Sequence, residues 1–464
     1  MQAYEGYFCR SCFEKQQIID KLEDENARLK AKLKYEENKT KEGYFGKSTP
    51  SSKKPFKANC NCGNEKKNGG AKIGHKGHGR RKFLEADLDE IKKIELEEDL
   101  CPHCKSKLER KGYKCRPVIE TEVKRVKKMI YRYESGYCPK CDKRIKAKVD
   151  ILPKFLVGNQ LLAQVLNMHY LHGITVGKIK KMLGEKAAGI NWFAIFHKTG
   201  QIFKGVMPKL INEYRKEKVR HADETGWRTD GYNGYCWLFC NKNISIFQFK
   251  DNRSGKVVRD ILGTKRLDGY LVVDRYSGYN RAPCKIQYCY SHLERDTAKV
   301  EEEFSDNKEV KNFTESLIPL IIEAMQIRKQ DDHYYKNAKR LKQEISEIIN
   351  SPAQHLGIKN IQNIFKKNKN RMYHWAKDRD VPADNNFAEQ ELRQVVIARK
   401  VSFGSQSEKG AETRSILMSL LHTVNKRLKN KSISTEDWLK DTLDKIAINP
   451  DINIYSLIPE IDSG

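Results

Sequence analysis

A chain of 464 residues exceeds one compact core and, at about 100 to 200 residues per domain, predicts two to four domains. Its 89 Lys+Arg against 61 Asp+Glu give a formal net charge of +28, which points to a polyanionic partner, nucleic acid first. No apolar run approaches the roughly 18 residues of a membrane span and no signal-peptide pattern opens the chain, so no membrane partner is expected and the protein reads as soluble and cytoplasmic. Thirteen cysteines, many in C-x-x-C pairs, read in that compartment as metal ligands rather than disulfides.

In chain order, residues 16–36 place Ile19 and Leu33 at a, Leu22 and Leu29 at d, and Asn26 at the middle a position of a heptad. That spacing predicts a parallel coiled coil over 1–40, and hence a homodimer at least, or else a solvated helix packed on its own protein. Residues 41–90 form a basic linker too poor in apolar residues to fold alone, and its "GHKGHGRRK" sets Arg80 and Arg81 against DNA phosphate. "CPHC" (Cys101, Cys104) and "CPKC" (Cys138, Cys141) present four thiolates from two turns and predict a structural Zn²⁺ ribbon over 91–150. Cys9/Cys12, Cys60/Cys62 and His75/His78 are a weaker candidate for a second site, and the histidines equally suit phosphate or solvent.

Residues 151–217 read as helices, with Gly184 or Gly189 near the turn of a DNA-binding helix-turn-helix, a pattern that ordinary helix packing shares. From 218 the texture is that of an α/β fold: strands in "VRHADETGW", "GYCWLFCNK" and "ISIFQFK", a helix from Lys256 to Leu262, then strands in "GYLVVDRYSGYN" and "KIQYCYSHLERD". The chain then turns helical and charged over about 297–380. Helices at 386–398 and 411–428 and a helical tail over 426–464 follow.

Asp223 and Asp274 each end a hydrophobic run, where an ionised carboxylate is costly unless paired, hydrogen-bonded or bound to metal. On neighbouring strands they can share divalent cations, and Glu389, in the first turns of the helix after Pro382 and Asn385/Asn386, supplies a third acid. An all-oxygen set suits Mg²⁺ or Mn²⁺. Glu224 adjoins Asp223, but strand alternation turns it to the opposite face. The plain alternative is surface acids, with Glu389 and Arg393 as an i,i+4 pair. Arg393, Arg399 and Lys400 either grip the DNA backbone or sit as solvated surface.

"HADETGW", "VDRYSGYN", "CYSHLERD" and "DNNFAEQELRQVVIARKVSFGSQSEKGAETRSILMSLLHT", with "YFGKSTPSSKK" and "GGAKIGHKGHGRRK" upstream, resemble the transposases of the IS66 insertion-sequence family over nearly the whole chain. The resemblance implies an RNase H-like DDE catalytic domain over 218–425, interrupted by the helical insertion, with Asp223, Asp274 and Glu389 as its three acids. Cys289, His292 and Arg295 match the family's Cys-x-x-His-x-x-Arg pattern beside the active site, and His292 and Arg295 join the expected DNA contacts. Gln390 and Gln394 depart from the arginine and proline usual there. The implied activity is cleavage at the ends of a mobile element, freeing a 3′-hydroxyl that attacks target DNA. Small accessory proteins, a multimer pairing two DNA ends, and a bacterial, nucleoid-associated location follow from the same resemblance. The alternatives are a zinc-ribbon DNA-binding regulator without chemistry, and a metal-dependent nuclease that cuts without joining.

Overall fold

The computed structural model describes residues 126–132, 134–139, 142–146, 149–187 and 189–461, with scattered positions between 15 and 26. It divides into two compact units, 1–121 and 122–464. In the first unit the described positions are helical, and Ile19 and Leu22 of the heptad are exposed. Leu29 and Leu33 lie outside the described residues, as do Cys9, Cys12, Cys60, Cys62, His75, His78, Arg80, Arg81, Cys101, Cys104, Cys141 and the side chain of Cys138.

The second unit starts with an antiparallel hairpin, β1 (Ser135–Cys138) and β2 (Lys143–Lys146). Four helices follow: α1 (Asn159–Leu166), α2 (Val176–Leu183), α3 (Trp192–Phe203) and α4 (Met207–Lys216). Their ends obey local rules. The Thr175 side chain accepts from Lys178 N at the start of α2, Gly184 closes it at φ +72°, and Asn191 accepts from Ala194 N at the start of α3.

The sheet is built from β3 (Val219–Thr229), β4 (Tyr232–Cys240), β5 (Ser245–Lys250), β6 (Tyr270–Val273) and β7 (Lys285–Tyr288), in the order β5-β4-β3-β6-β7. β3, β4 and β5 are antiparallel neighbours, joined first by Asp230-Gly231, both at positive φ as a tight two-residue hairpin requires. β6 and β7 run parallel to β3, after a crossover through α5 (Gly255–Leu262). Between β7 and the last part of the chain stand α6 (Tyr290–Glu303), α7 (Lys308–Gln326), α8 (Tyr334–Asn350), α9 (Leu356–Lys367) and α10 (Lys369–Met372). α11 (Asn386–Ser402), α12 (Glu408–Arg427) and α13 (Thr435–Ile448) complete the described chain. Among the described residues no helix is long and apolar enough to cross a membrane.

α12 is buried along nearly its whole length, from Ala411 to Val424. It covers the open edge of β5, whose outward backbone groups would otherwise be orphaned. Three hydroxyls spaced by four residues do this: Phe247 N donates to Ser419 Oγ at 2.9 Å, Ser245 N to Thr423 Oγ1 at 3.1 Å, and Ser415 Oγ donates to Phe247 O. Ser419→Ala leaves the Phe247 N–H unpaired in the core. It is expected to cost about 1–3 kcal/mol in urea unfolding with no change in the denaturant slope.

His169, His221 and His422 are buried, and burial holds each imidazole down at about 4. The unfolded chain takes up protons below 6.5 while these groups resist until about pH 4. Their contribution to stability is therefore intact above pH 6.5 and is lost as pH falls towards 4, each on the order of 3 kcal/mol. Thermal unfolding at pH 7, 5.5 and 4.5 is expected to show a progressive fall in Tm.

Candidate active site

The sheet register brings the two aspartates together. β3 pairs with β6 through Val219–His221 against Tyr270–Val272, with His221 opposite Val272. Two residues further on each parallel chain are Asp223 and Asp274, level with one another where the ladder opens. Adjacent paired strands lie about 4.8 Å apart, so the register sets Asp223 and Asp274 side by side on neighbouring chains. Asp274 ends β6 by accepting the Tyr276 N–H at 2.9 Å, and Asp223 accepts the Glu224 N–H at 2.9 Å.

Glu389 arrives from the first turn of α11. Its charge, with those of Glu224 and Asp274, reaches Asp223: burial first, then Glu224, Asp274 and Glu389, raise the Asp223 carboxyl from 3.8 to about 8. The charges of Glu224, Asp274 and Glu389 place these acids in the neighbourhood of Asp223, but among the described residues the three acids' oxygens do not form a close ligand group. All-oxygen donors of this kind are those that Mg²⁺ or Mn²⁺ takes.

Strand alternation predicts Glu224 on the face opposite the aspartates, but it shares their surroundings: Arg253 reaches both Glu224 and Asp274, and the Glu224 charge bears on Asp223. Its side chain is 1% exposed, and its carboxyl is raised chiefly by burial and also by Asp274. Tyr279 Oη donates to one oxygen, and Arg253 Nε donates to the other at 2.7 Å. The Arg253 guanidinium lies 4.0 Å from Asp274 Oδ2 and stacks over Tyr276 at 3.9 Å. Arg253 and Tyr279 carry no periodicity or motif that announces them. The sequence signal for Tyr279 was only its place in "YSGYN" after Asp274.

On the far side, Arg295 Nη2 donates to Glu389 Oε1 at 3.0 Å, and His292 Nδ1 lies 3.9 Å from the same oxygen. His292 Nδ1 is buried with no hydrogen-bond partner, and burial, then the neighbouring Arg295, hold its imidazole below the ordinary range. Cys289 Sγ, His292 and Glu389 offer ligand atoms within 4.8 Å of one another. Burial pushes the Cys289 thiol up, and its sulfur accepts the Asn385 N–H at 3.2 Å. Asn385 is the brace of the site. Its Nδ2 donates to Ala222 O at 2.9 Å, beside Asp223, and its Oδ1 lies 2.9 Å from His221 Nδ1. One buried residue thus ties β3 through its side-chain amide and the start of α6 through its backbone N–H to the start of α11.

A model of the family described as "Transposase IS66 family" matches residues 154–413, over half of the chain and including every one of these site residues. The chain belongs to the IS66 family of transposases. It is also similar to two proteins of Sinorhizobium fredii (strain NBRC 101917 / NGR234). "Uncharacterized protein y4qI" is 26% identical over 362 residues, 68% of this chain and 64% of that one. "Uncharacterized protein y4jD" is 24% identical over 218 residues, 43% of this chain and 41% of that one. The chain thus spans less than two thirds of the length of either relative.

Within this IS66-family chain, the remaining expected contacts divide. Arg393 and Lys400 are exposed on α11. Arg399 is tied inward, its Nη1 donating to Gly226 O at 2.5 Å and lying 3.4 Å from Thr225 Oγ1, so it clamps α11 to β3. Arg295 is likewise engaged with a site carboxylate. Glu389 pairs with Arg295 and not, among the described residues, with Arg393.

Proposed function

We propose that this chain is a DNA transposase of the Asp/Asp/Glu class, cutting at the ends of a mobile element and joining the freed ends to target DNA. The observation that carries the reading is the register-matched pair Asp223 and Asp274, with the Asp223 carboxyl raised first by burial and then by the charges of Glu224, Asp274 and Glu389. The order β5-β4-β3-β6-β7, three antiparallel strands followed by two parallel ones, supports an RNase H-like core, with α6 to α10 as the helical insertion before the last acid.

Asp223, Asp274 and Glu389 would hold two Mg²⁺ or Mn²⁺ ions. Such ions, when bound, neutralise charge developing on the phosphate and favour ionisation of the attacking oxygen. Bound cations would favour the ionised form of the Asp223 carboxyl, which would tie their affinity to pH. Arg295 holds Glu389 in place before loading. Asn385 ties the start of α11, which carries Glu389, to β3 beside Asp223, and so limits how far the third carboxylate would have to move to join the first two. Arg253 steadies Glu224 and presents positive charge beside Asp274, where a phosphate would lie.

The same reading gives the remaining segments their roles: a Zn²⁺ ribbon at Cys101, Cys104, Cys138 and Cys141, a coiled-coil dimer over 1–40, and helices of 151–217 on DNA. Small accessory proteins and the nucleoid of a bacterial cytoplasm belong to it as well. The test is incubation of the full chain and Mn²⁺ with a supercoiled plasmid carrying its gene and native flanks. Breaks at the flanks with joined products are expected. Breaks without joining make the protein a nuclease, and binding without breaks makes it a regulator.

A further inference from the structure

On the chain just after Asp274 begins a cleft of about 440 Å³, lined by Arg275, Asn280, Tyr288, Lys367, Asn368, Asn370 and Arg371. Among the described residues no carboxylate lines it. It joins two parts of the fold. Arg275 follows Asp274 directly, Asn280 follows the short helical turn after it, and Tyr288 ends β7. Lys367 to Arg371 come from the junction of α9 and α10 in the helical insertion.

The lining is ordered before any ligand arrives. Arg371 Nη1 donates to Tyr288 Oη at 2.5 Å and to Asn280 Oδ1, and Tyr288 Oη lies 3.1 Å from the same Asn280 oxygen. The guanidinium also stacks over the Tyr288 ring at 5.4 Å. These contacts fix the Arg371 guanidinium through one nitrogen and leave Nε and Nη2 for an acceptor. Arg275 Nη2 pairs with Asp296 of α6, while Arg275 Nε is buried with no hydrogen-bond partner. A buried guanidinium donor left unpaired costs free energy that an incoming oxygen anion would return. Three cations, three amides and a phenol with no carboxylate suit a chain of phosphate oxygens, which accept from arginine forks, amides and ammonium alike.

We infer that this cleft binds the phosphodiester backbone of DNA on the β7 side of the three acids, so that the helical insertion holds the strand running past Asp274. The inference rests on the DNA reading above and adds to its interface the residues Tyr288, Lys367, Asn368, Asn370 and Arg371, which lie outside the sequence motifs. An insertion anchored in this way acts as a backbone clamp: it sets where the strand lies without reading bases.

The test is fluorescence-anisotropy binding of the full chain to a 40-base-pair duplex and a 40-nucleotide single strand across a salt series, without divalent cations. Lys367→Ala removes an exposed ammonium from the cleft. It is expected to weaken binding and to reduce the slope of log K against log salt by about 0.9 for duplex or about 0.7 for single strand. Asn370→Asp, which adds a carboxylate at nearly constant shape, is expected to weaken binding by at least about tenfold at low salt. Lys336→Ala, an exposed lysine of α8 outside the cleft, serves as the control for net charge and is expected to keep the wild-type slope. Which of the two DNAs shows the larger effect identifies the form of backbone the cleft takes. If Lys367→Ala and Asn370→Asp bind as Lys336→Ala does, the cleft is not a DNA site and the active-site reading stands. A wild-type chain that binds neither DNA overturns both.

Discussion

Asp274→Asn is expected to abolish Mn²⁺-dependent cleavage of plasmid flanks, by about 10³-fold or more, while leaving metal-free DNA binding within about twofold of wild type. The magnitude follows from removing a cation ligand whose loss forfeits several kcal/mol of charge stabilisation, at 1.36 kcal/mol per tenfold. The retained binding follows from the location. Asp274 is half-buried at the end of β6, and the DNA contacts argued above come from cations around it. The fold should survive, because asparagine keeps an oxygen to accept the Tyr276 N–H that ends the strand. Single-turnover cleavage and anisotropy on the same preparation separate the two effects. A variant that cuts at near-wild-type rate removes Asp274 from the chemistry.

Asp223→Asn is expected to do the same to cleavage and the opposite to stability. Burial and the neighbouring acids raise the Asp223 carboxyl from 3.8 to about 8 in the cation-free fold. The unfolded chain ionises above 3.8 while the folded chain keeps its proton, so stability is highest below that point and falls as pH rises to about 8, where the loss levels off. The accumulated cost is on the order of 5 kcal/mol. Asparagine does not ionise, so the variant escapes it. In chelator, its Tm should exceed that of wild type by several degrees at pH 8 and match it near pH 4. Added Mn²⁺ should raise the wild-type Tm and leave the variant unmoved, because cations that bind only the folded state stabilise it. Equal melting curves at pH 8 contradict the raised carboxyl.

Asp274 was legible in the sequence for a physical reason, since a carboxylate ending "YLVV" is conspicuous, whereas Asp223, expected at a strand end, lies inside β3, which continues to Thr229 because its later residues pair with β4. Their exact opposition was not legible, because it depends on a parallel register reached only after the chain has passed through β4, β5 and α5, and register leaves no local trace. Glu389 was placed by its helix start and by resemblance, and its engagement with Arg295 came only with the fold. The sequence pattern marked Arg399 as a cation but not its attachment to Gly226, since surface and clamped arginines share the same spacing. Asn385 is the clearest omission. The sequence showed a helix entrance at "DNN"; the amide's bonds to Ala222 and His221, and the Asn385 N–H bond to Cys289, join positions far apart in the chain. Ser415, Ser419 and Thr423 stand four residues apart, a spacing common on exposed helix faces, and only the fold shows that they bond to β5.

The measurement that bears most directly on the three-acid site is a count of bound Mn²⁺ by electron paramagnetic resonance. It uses the full chain with a flank duplex present, comparing wild type with Asp223→Asn, Asp274→Asn and Glu389→Gln. Two tightly bound ions in wild type and the loss of at least one in each variant are the expected result. An unchanged count in all three variants would place the cations elsewhere and contradict the account.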